Sequence, residues 1–177
     1  ALESLGAQLH RAFTEVGFYF VKNTGVPQSL MDEAFAQTAR FHAQALDAKM
    51  AMPFNSNNQG YLPYRGNTTR MNAVDGIKKP NANEAVFFKR EMAADHPDVL
   101  AGKRFRGLNQ WPADLPGFRE VALAYAGAME ALGRSLVPIY AVALGLPANW
   151  FDEKFRNPMF TLRMTHYPQQ APTAPDD

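Results

Sequence analysis

From its first residues the chain places apolar side chains three and four apart: Leu2, Leu5, Leu9, Phe13 and Val16, with His10, Arg11 and Glu15 between them. This period predicts an amphipathic helix over 2–16, stopped by Gly17. Phe18-Tyr19-Phe20-Val21-Lys22 is too short and too aromatic for a helix, and Asn23-Thr24-Gly25 closes it, so it reads as a buried strand ending in a turn. Pro27 suits a first helical position, and Met31, Ala34, Phe35, Thr38, Phe41 and Ala45 mark one face of a second helix running to about Ala48.

Between Pro53 and Pro116 the periodicity disappears. Asn55-Ser56-Asn57-Asn58 and a scatter of Gly and Pro, Gly76 and Pro80 among them, leave no room for a long helix. Brief strands fit at Tyr61-Leu62 and at Ala85-Val86-Phe87-Phe88. A loop-rich stretch of this length is unusual unless it lines or covers something. Pro116 then opens a long helix carrying Phe118, Val121, Tyr125, Met129, Leu132, Leu136, Ile139 and Ala143, kinked at Pro138 and ended by Gly145. A short helical turn over Asn149 to Phe155 follows.

The last patterned segment, Met159 to Tyr167, alternates. Phe160, Leu162, Met164 and His166 share one parity; Thr161, Arg163, Thr165 and Tyr167 share the other. Side chains of a strand point to opposite faces in turn, so this strand has a mainly apolar and a polar face. The proline-rich residues 169–177 read as a tail.

Composition narrows the function. The chain has 177 residues, 46% hydrophobic and 12% aromatic, which suffices for one compact domain. Eighteen Lys and Arg against 17 Asp and Glu leave +1, too balanced for the basic face that nucleic acid requires. With no cysteine and four His, a metal site must use imidazole and carboxylate. No apolar run approaches a membrane span and no signal peptide is recognisable, so a soluble, cytoplasmic protein is expected.

Arg163, Thr165 and Tyr167 align a guanidinium, a hydroxyl and a phenol, donors that suit a carboxylate; the alternative is the wet side of a half-exposed sheet. His96-Pro97-Asp98 with His166 imitates a two-His, one-carboxylate metal triad. The loop-like surroundings of the pair, and the apolar parity of His166, favour a loop pair and a core histidine instead. The charges at Glu84, Lys89, Arg90 and Glu91 read as a solvated stretch, and Lys103, Arg104 and Arg106 as surface.

Gly17-Phe18-Tyr19-Phe20-Val21-Lys22-Asn23-Thr24-Gly25-Val26-Pro27 resembles the opening of the iron(II)- and 2-oxoglutarate-dependent oxygenases of the isopenicillin N synthase-like family. Asp47-Ala48-Lys49, Gly60-Tyr61, Asn109-Gln110-Trp111-Pro112 and Arg163-Met164-Thr165-His166-Tyr167-Pro168 follow in that family's order. Thr24 departs from the usual His, a change expected to be harmless. The resemblance implies an α+β fold: a helical N-terminal support over 1–157, then the first core strand, 158–168, of a double-stranded β-helix or jelly roll. It also implies truncation, since the family's His-x-Asp pair, distal His and Arg-x-Ser pair lie further on; the metal ligands are expected beyond Asp177.

Carried over residue by residue, the resemblance gives Tyr167, Thr165 and Arg163 contact with the cosubstrate side. It assigns Val86 and Phe88 to a strand lining the substrate pocket, for which a plain core strand is the alternative, and Tyr61 to a mobile loop beside it. The implied activity is oxidation of a small molecule by Fe(II), 2-oxoglutarate and O2 through hydroxylation, desaturation or cyclisation. A reading from another class is a non-catalytic helical interaction module derived from such an enzyme.

Overall fold

A computed structural model describes residues 1–66 and 80–170. They belong to two compact units, one formed by Ala1–Ala34 with Glu120–Phe160, the other by Phe35–Arg119 with the chain from Thr161 on. The predicted turn at Gly76, and the expected tail from residue 171, lie outside the described residues.

In the first unit, α1 (Leu2–Arg11) ends in a π-helical turn, Ala12–Val16, closed by the Gly17 N–H donating to the Ala12 carbonyl at 2.8 Å. The helix expected over 2–16 is thus present, with a wider last turn. Its apolar stripe presents Gly6 and Leu9 to α5 (Phe118–Ala143). Gly6 is there because a Cβ would stand 2.6 Å from Val142 Cγ1. One turn on, His10 Nδ1–H donates to the Ala143 carbonyl at 3.1 Å, filling a carbonyl that the end of α5 leaves open. Phe13, Tyr19 and Tyr140 cluster, Tyr19 edge-on to both other rings, and the two tyrosine hydroxyls meet at 2.5 Å.

The expected strand over 18–22 is corrected. Among the described residues no strand pairs with this segment, and Phe18 and Phe20 are 60% and 86% exposed. Its apolar composition is that of a strand, but without a ladder partner the backbone cannot register as one. Pro138 lies within α5, which runs 26 residues without interruption. Among the described residues no helix is long and apolar enough to cross a membrane.

The second unit carries the sheet. The helix expected to continue to Ala48 stops earlier: α2 (Gln28–His42) and α3 (Leu46–Met50) are separated at Ala45, whose ψ of 149° is extended. Phe35, expected on the buried face of α2, is 75% exposed. Three strands follow, β1 (Gly60–Leu62), β2 (Glu84–Lys89) and β3 (Thr161–His166), antiparallel in the order β1-β2-β3. Register pairs Tyr61 with Val86, and Val86 with Met164. One face of this sheet covers the core: Phe41, Tyr61, Phe88 and Phe118 are fully buried, and Trp111 stacks on Phe88 at 4.5 Å and 9°. A short helix, α4 (Pro97–Leu100), starts where the His96 ring nitrogen accepts from the Asp98 N–H, so the His96-Pro97-Asp98 motif is a helix cap.

Gly60 starts β1 with φ +98°, in the left-handed region. An added Cβ would lie 2.5 Å from the Pro53 carbonyl oxygen and 2.7 Å from that of Met52, both of them backbone. Gly60→Ala is expected to lower unfolding stability by about 2 kcal/mol or more, since strain and overlap add. A urea midpoint equal to that of the unsubstituted chain would contradict this account of β1.

Candidate functional site

Alternation along the strands divides the candidate residues between two faces. On the core side stand Tyr61 of β1, Glu84, Val86 and Phe88 of β2, and Leu162, Met164 and His166 of β3. The other side holds Ala85, Phe87 and Lys89 of β2 with Thr161, Arg163 and Thr165 of β3. Arg163 lies over its cross-strand partner, the Phe87 ring, at 5.3 Å, and Phe54 packs on that ring at 5.1 Å. Its Nη2 donates to Asn83 Oδ1 at 3.4 Å. Arg163 is exposed, Thr165 half-buried, and Tyr167, just past the strand, 70% exposed.

Strand parity and burial place the residues expected to line a substrate pocket. Val86 and Phe88 are fully buried on the core side, away from Arg163, because their parity is that of Met164. The β2 residues sharing the Arg163 face are Ala85, Phe87 and Lys89. Tyr61 is not on a loop: it belongs to β1, is 1% exposed, and its hydroxyl donates to Glu84.

Glu84, which the sequence suggested was solvated, is the centre of a buried polar cluster and only 5% exposed. Its Oε2 accepts from Lys49 Nζ at 2.8 Å and from the Tyr61 hydroxyl; its Oε1 accepts from His166 Nδ1 at 2.8 Å. The Lys49 ammonium also donates to the carbonyl of His42, the last residue of α2, at 3.1 Å. His42 turns Nε2–H to the Met164 carbonyl at 3.2 Å and its other nitrogen toward Glu84 Oε1 at 3.4 Å.

The titrations follow from these contacts. Burial alone would raise the Glu84 carboxyl, but the bonds from Lys49, Tyr61 and His166 hold it at about 2. Burial, and then the neighbouring carboxylate, push the Tyr61 phenol far above its ordinary range. Burial lowers His42, keeping its ring neutral. Sequence reading missed His42, Lys49 and Glu84, although Glu84 shares the parity of Val86 and Phe88, and a charge on an apolar parity requires a buried partner.

His42, Glu84 and His166 are the one group among the described residues that could hold a metal ion, with a ligand atom from each within 4.8 Å of the other two. They lie on the core face. A metal sharing a ligand with Arg163 and Thr165 would need donors on the opposite face, and the described residues bring no such set there. An iron that binds 2-oxoglutarate beside those two residues therefore does not fit the donors that the described residues supply.

Removing one partner from a buried pair leaves the other charge uncompensated, so Glu84→Gln is expected to cost about 3–5 kcal/mol. The folded carboxyl titrates below its ordinary value of 4.5, so between about 5 and 2 the unfolded chain binds more protons. The stability contributed by Glu84 is complete above that window and drains as pH falls through it. Urea unfolding from pH 7 to pH 3 should show this loss, and Glu84→Gln should flatten it; parallel profiles would refute the assignment.

Residues 1–114 match the family described as non-haem dioxygenase in morphine synthesis, N-terminal. The 2-oxoglutarate-Fe(II) type oxidoreductase hxnY of Emericella nidulans is 31% identical over 159 residues, covering 87% of this chain and 44% of that protein. A 2OG-Fe(II) oxygenase family protein of Caulobacter crescentus superposes with a TM-score of 0.79 at 19% identity, over 98% of this chain and 54% of its own. A full-length Neurospora crassa protein solved with α-ketoglutarate and thymine gives a TM-score of 0.70 at 26% identity, over 94% of this chain and 50% of its own. The chain spans about half the length of the relatives it matches. It belongs to the non-haem dioxygenase N-terminal family.

Proposed function

We propose that this chain is the N-terminal part of an enzyme that uses Fe(II), 2-oxoglutarate and O2 to oxidise a small organic molecule, by hydroxylation, desaturation or cyclisation. Residues 1–157 form its support and 158–168 the first core strand of a jelly roll, with the iron ligands beyond Asp177. The supporting observation is the polar face of β3. The Arg163 guanidinium lies over the Phe87 ring at 5.3 Å and Thr165 sits one pleat further on, both outside the core.

The chemistry of this donor set suits a dicarboxylate. The Thr165 hydroxyl and Tyr167 phenol donate to carboxylate oxygens, and the Arg163 guanidinium supplies compensating charge. Phe87 gives Arg163 a rigid apolar bed, which restrains the guanidinium before any ligand arrives. Hydroxyl, phenol and guanidinium bind and orient the cosubstrate; no proton transfer is assigned to them.

In the complete enzyme, Tyr167→Phe is expected to raise the KM for 2-oxoglutarate about 10-fold, the loss of one hydrogen bond to a charged group. The unfolding midpoint should not move, because Tyr167 is 70% exposed. An unchanged KM would remove Tyr167 from the cosubstrate site, and a KM rise accompanied by lost stability would assign it a structural role.

A further inference from the structure

We propose that His42, Glu84 and His166 form a binding site for a divalent transition-metal cation, of the zinc class, on the core face of the sheet. The geometry that points to a cation is at His42. Its Nε2–H is committed to the Met164 carbonyl, which only accepts, so the neutral ring carries its lone pair on Nδ1. That lone pair has no hydrogen-bond partner in the structure and faces a carboxylate oxygen, Glu84 Oε1, at 3.4 Å. The His42 side chain is 3% exposed and that of Glu84 6%. Two acceptors face each other where water is excluded, and each has a lone pair to give.

His166 completes the set. Its ring approaches that of His42 with centroids 5.4 Å apart, and its Nδ1 lies 2.8 Å from the same Glu84 oxygen. Three ligand atoms mutually within 4.8 Å need small shifts to reach the roughly 3.3 Å separations of a tetrahedral cation with bonds of about 2 Å, His166 Nδ1 moving out from its 2.8 Å contact with Glu84. The proton now on His166 Nδ1 moves to Nε2 or to solvent when the cation takes its place. Two imidazoles and one carboxylate leave a fourth position open, and the half-exposed side of His166 gives entry from solvent.

The outer contacts are those a bound metal uses. The Met164 carbonyl fixes the tautomer and orientation of His42. Lys49 and Tyr61 hold Oε2, leaving Oε1 for the metal, and Lys49 offsets the carboxylate charge, which favours a cation that imidazole binds strongly over a hard, oxygen-seeking one. The site lies on the opposite side of β3 from Thr165, so it takes no part in the cosubstrate contacts proposed above.

The test titrates the 177-residue chain, first stripped with chelator, with Zn2+ by calorimetry and with Co2+ by visible absorption. One equivalent is expected, with the intense cobalt bands of a tetrahedral site. His166→Asn, at the half-exposed ligand, should weaken binding by more than the about 100-fold that loss of an outer partner costs. His42→Asn should do the same; if it fails to fold, the His166 variant and the cobalt spectrum decide. His96→Ala, at the cap of α4, should change nothing. Absence of stoichiometric binding, binding that survives both substitutions, or binding lost with His96 would each overturn the site. None of these readouts depends on 2-oxoglutarate or on turnover, so Tyr167→Phe and these titrations fail independently.

Discussion

The second unit is organised by the need to compensate one buried carboxylate. Glu84 leaves water at the start of β2, on the same parity as the apolar Val86 and Phe88. A buried ion is tolerated only where its lone pairs are filled, and each partner that fills them comes from a different element. Lys49 arrives on α3, Tyr61 on β1, and His166 on β3. The early end of α2 is part of the same solution: it leaves the His42 carbonyl open for Lys49 Nζ, and the break at Ala45 turns α3 so that Lys49 reaches the cluster. Such a cluster contributes less to net stability than apolar side chains of equal volume would. It does contribute register, because sliding β2 by one residue would place the carboxylate on the other face, away from every one of these donors.

Fixed register is what positions the outward face. Arg163 can lie over Phe87 only while the two remain cross-strand partners, and that pairing sits between Val86–Met164 and Phe88–Leu162 on the core side. The His42 bond to the Met164 carbonyl pins β3 at the residue between Arg163 and Thr165. Ligand groups borne by a strand whose backbone is held from behind keep their geometry better than groups on a loop.

Much of this was legible from periodicity. The three-and-four spacing marked α1 and α5, and strict alternation identified β3 with both its faces. What escaped was non-local. The segment 18–22 has the composition of a strand, but whether it becomes one depends on a ladder partner that its own residues do not specify. For Val86 and Phe88 the family resemblance suggested a pocket and the residues themselves allowed a plain core strand; apolar side chains line pockets and cores alike, so their pairing beside Met164 and their burial could not be read from the sequence. Glu84 looked solvated because Lys89, Arg90 and Glu91 follow it, whereas its own parity is that of the core. His42 stands four residues after Thr38 and eight after Ala34, within the buried stripe of α2, but an isolated histidine there has no sequence signature of its partners.

Strand alternation also explains how adjacent residues serve separate chemistry. From Met164 to Tyr167 every second residue belongs to one side: Met164 and His166 to the core and its ionic cluster, Thr165 and Tyr167 by parity to the polar side. A helix would spread four successive side chains around its axis, and a loop would not hold them apart. The strand keeps Glu84 and its partners Lys49, Tyr61 and His166 on the other side of the sheet from the donors proposed for a dicarboxylate. A substitution on one face thus leaves the hydrogen-bonding partners on the other in place, because the backbone between them is already paired. The polar face can therefore be tuned for its ligand without disturbing the carboxylate that fixes the register beneath it.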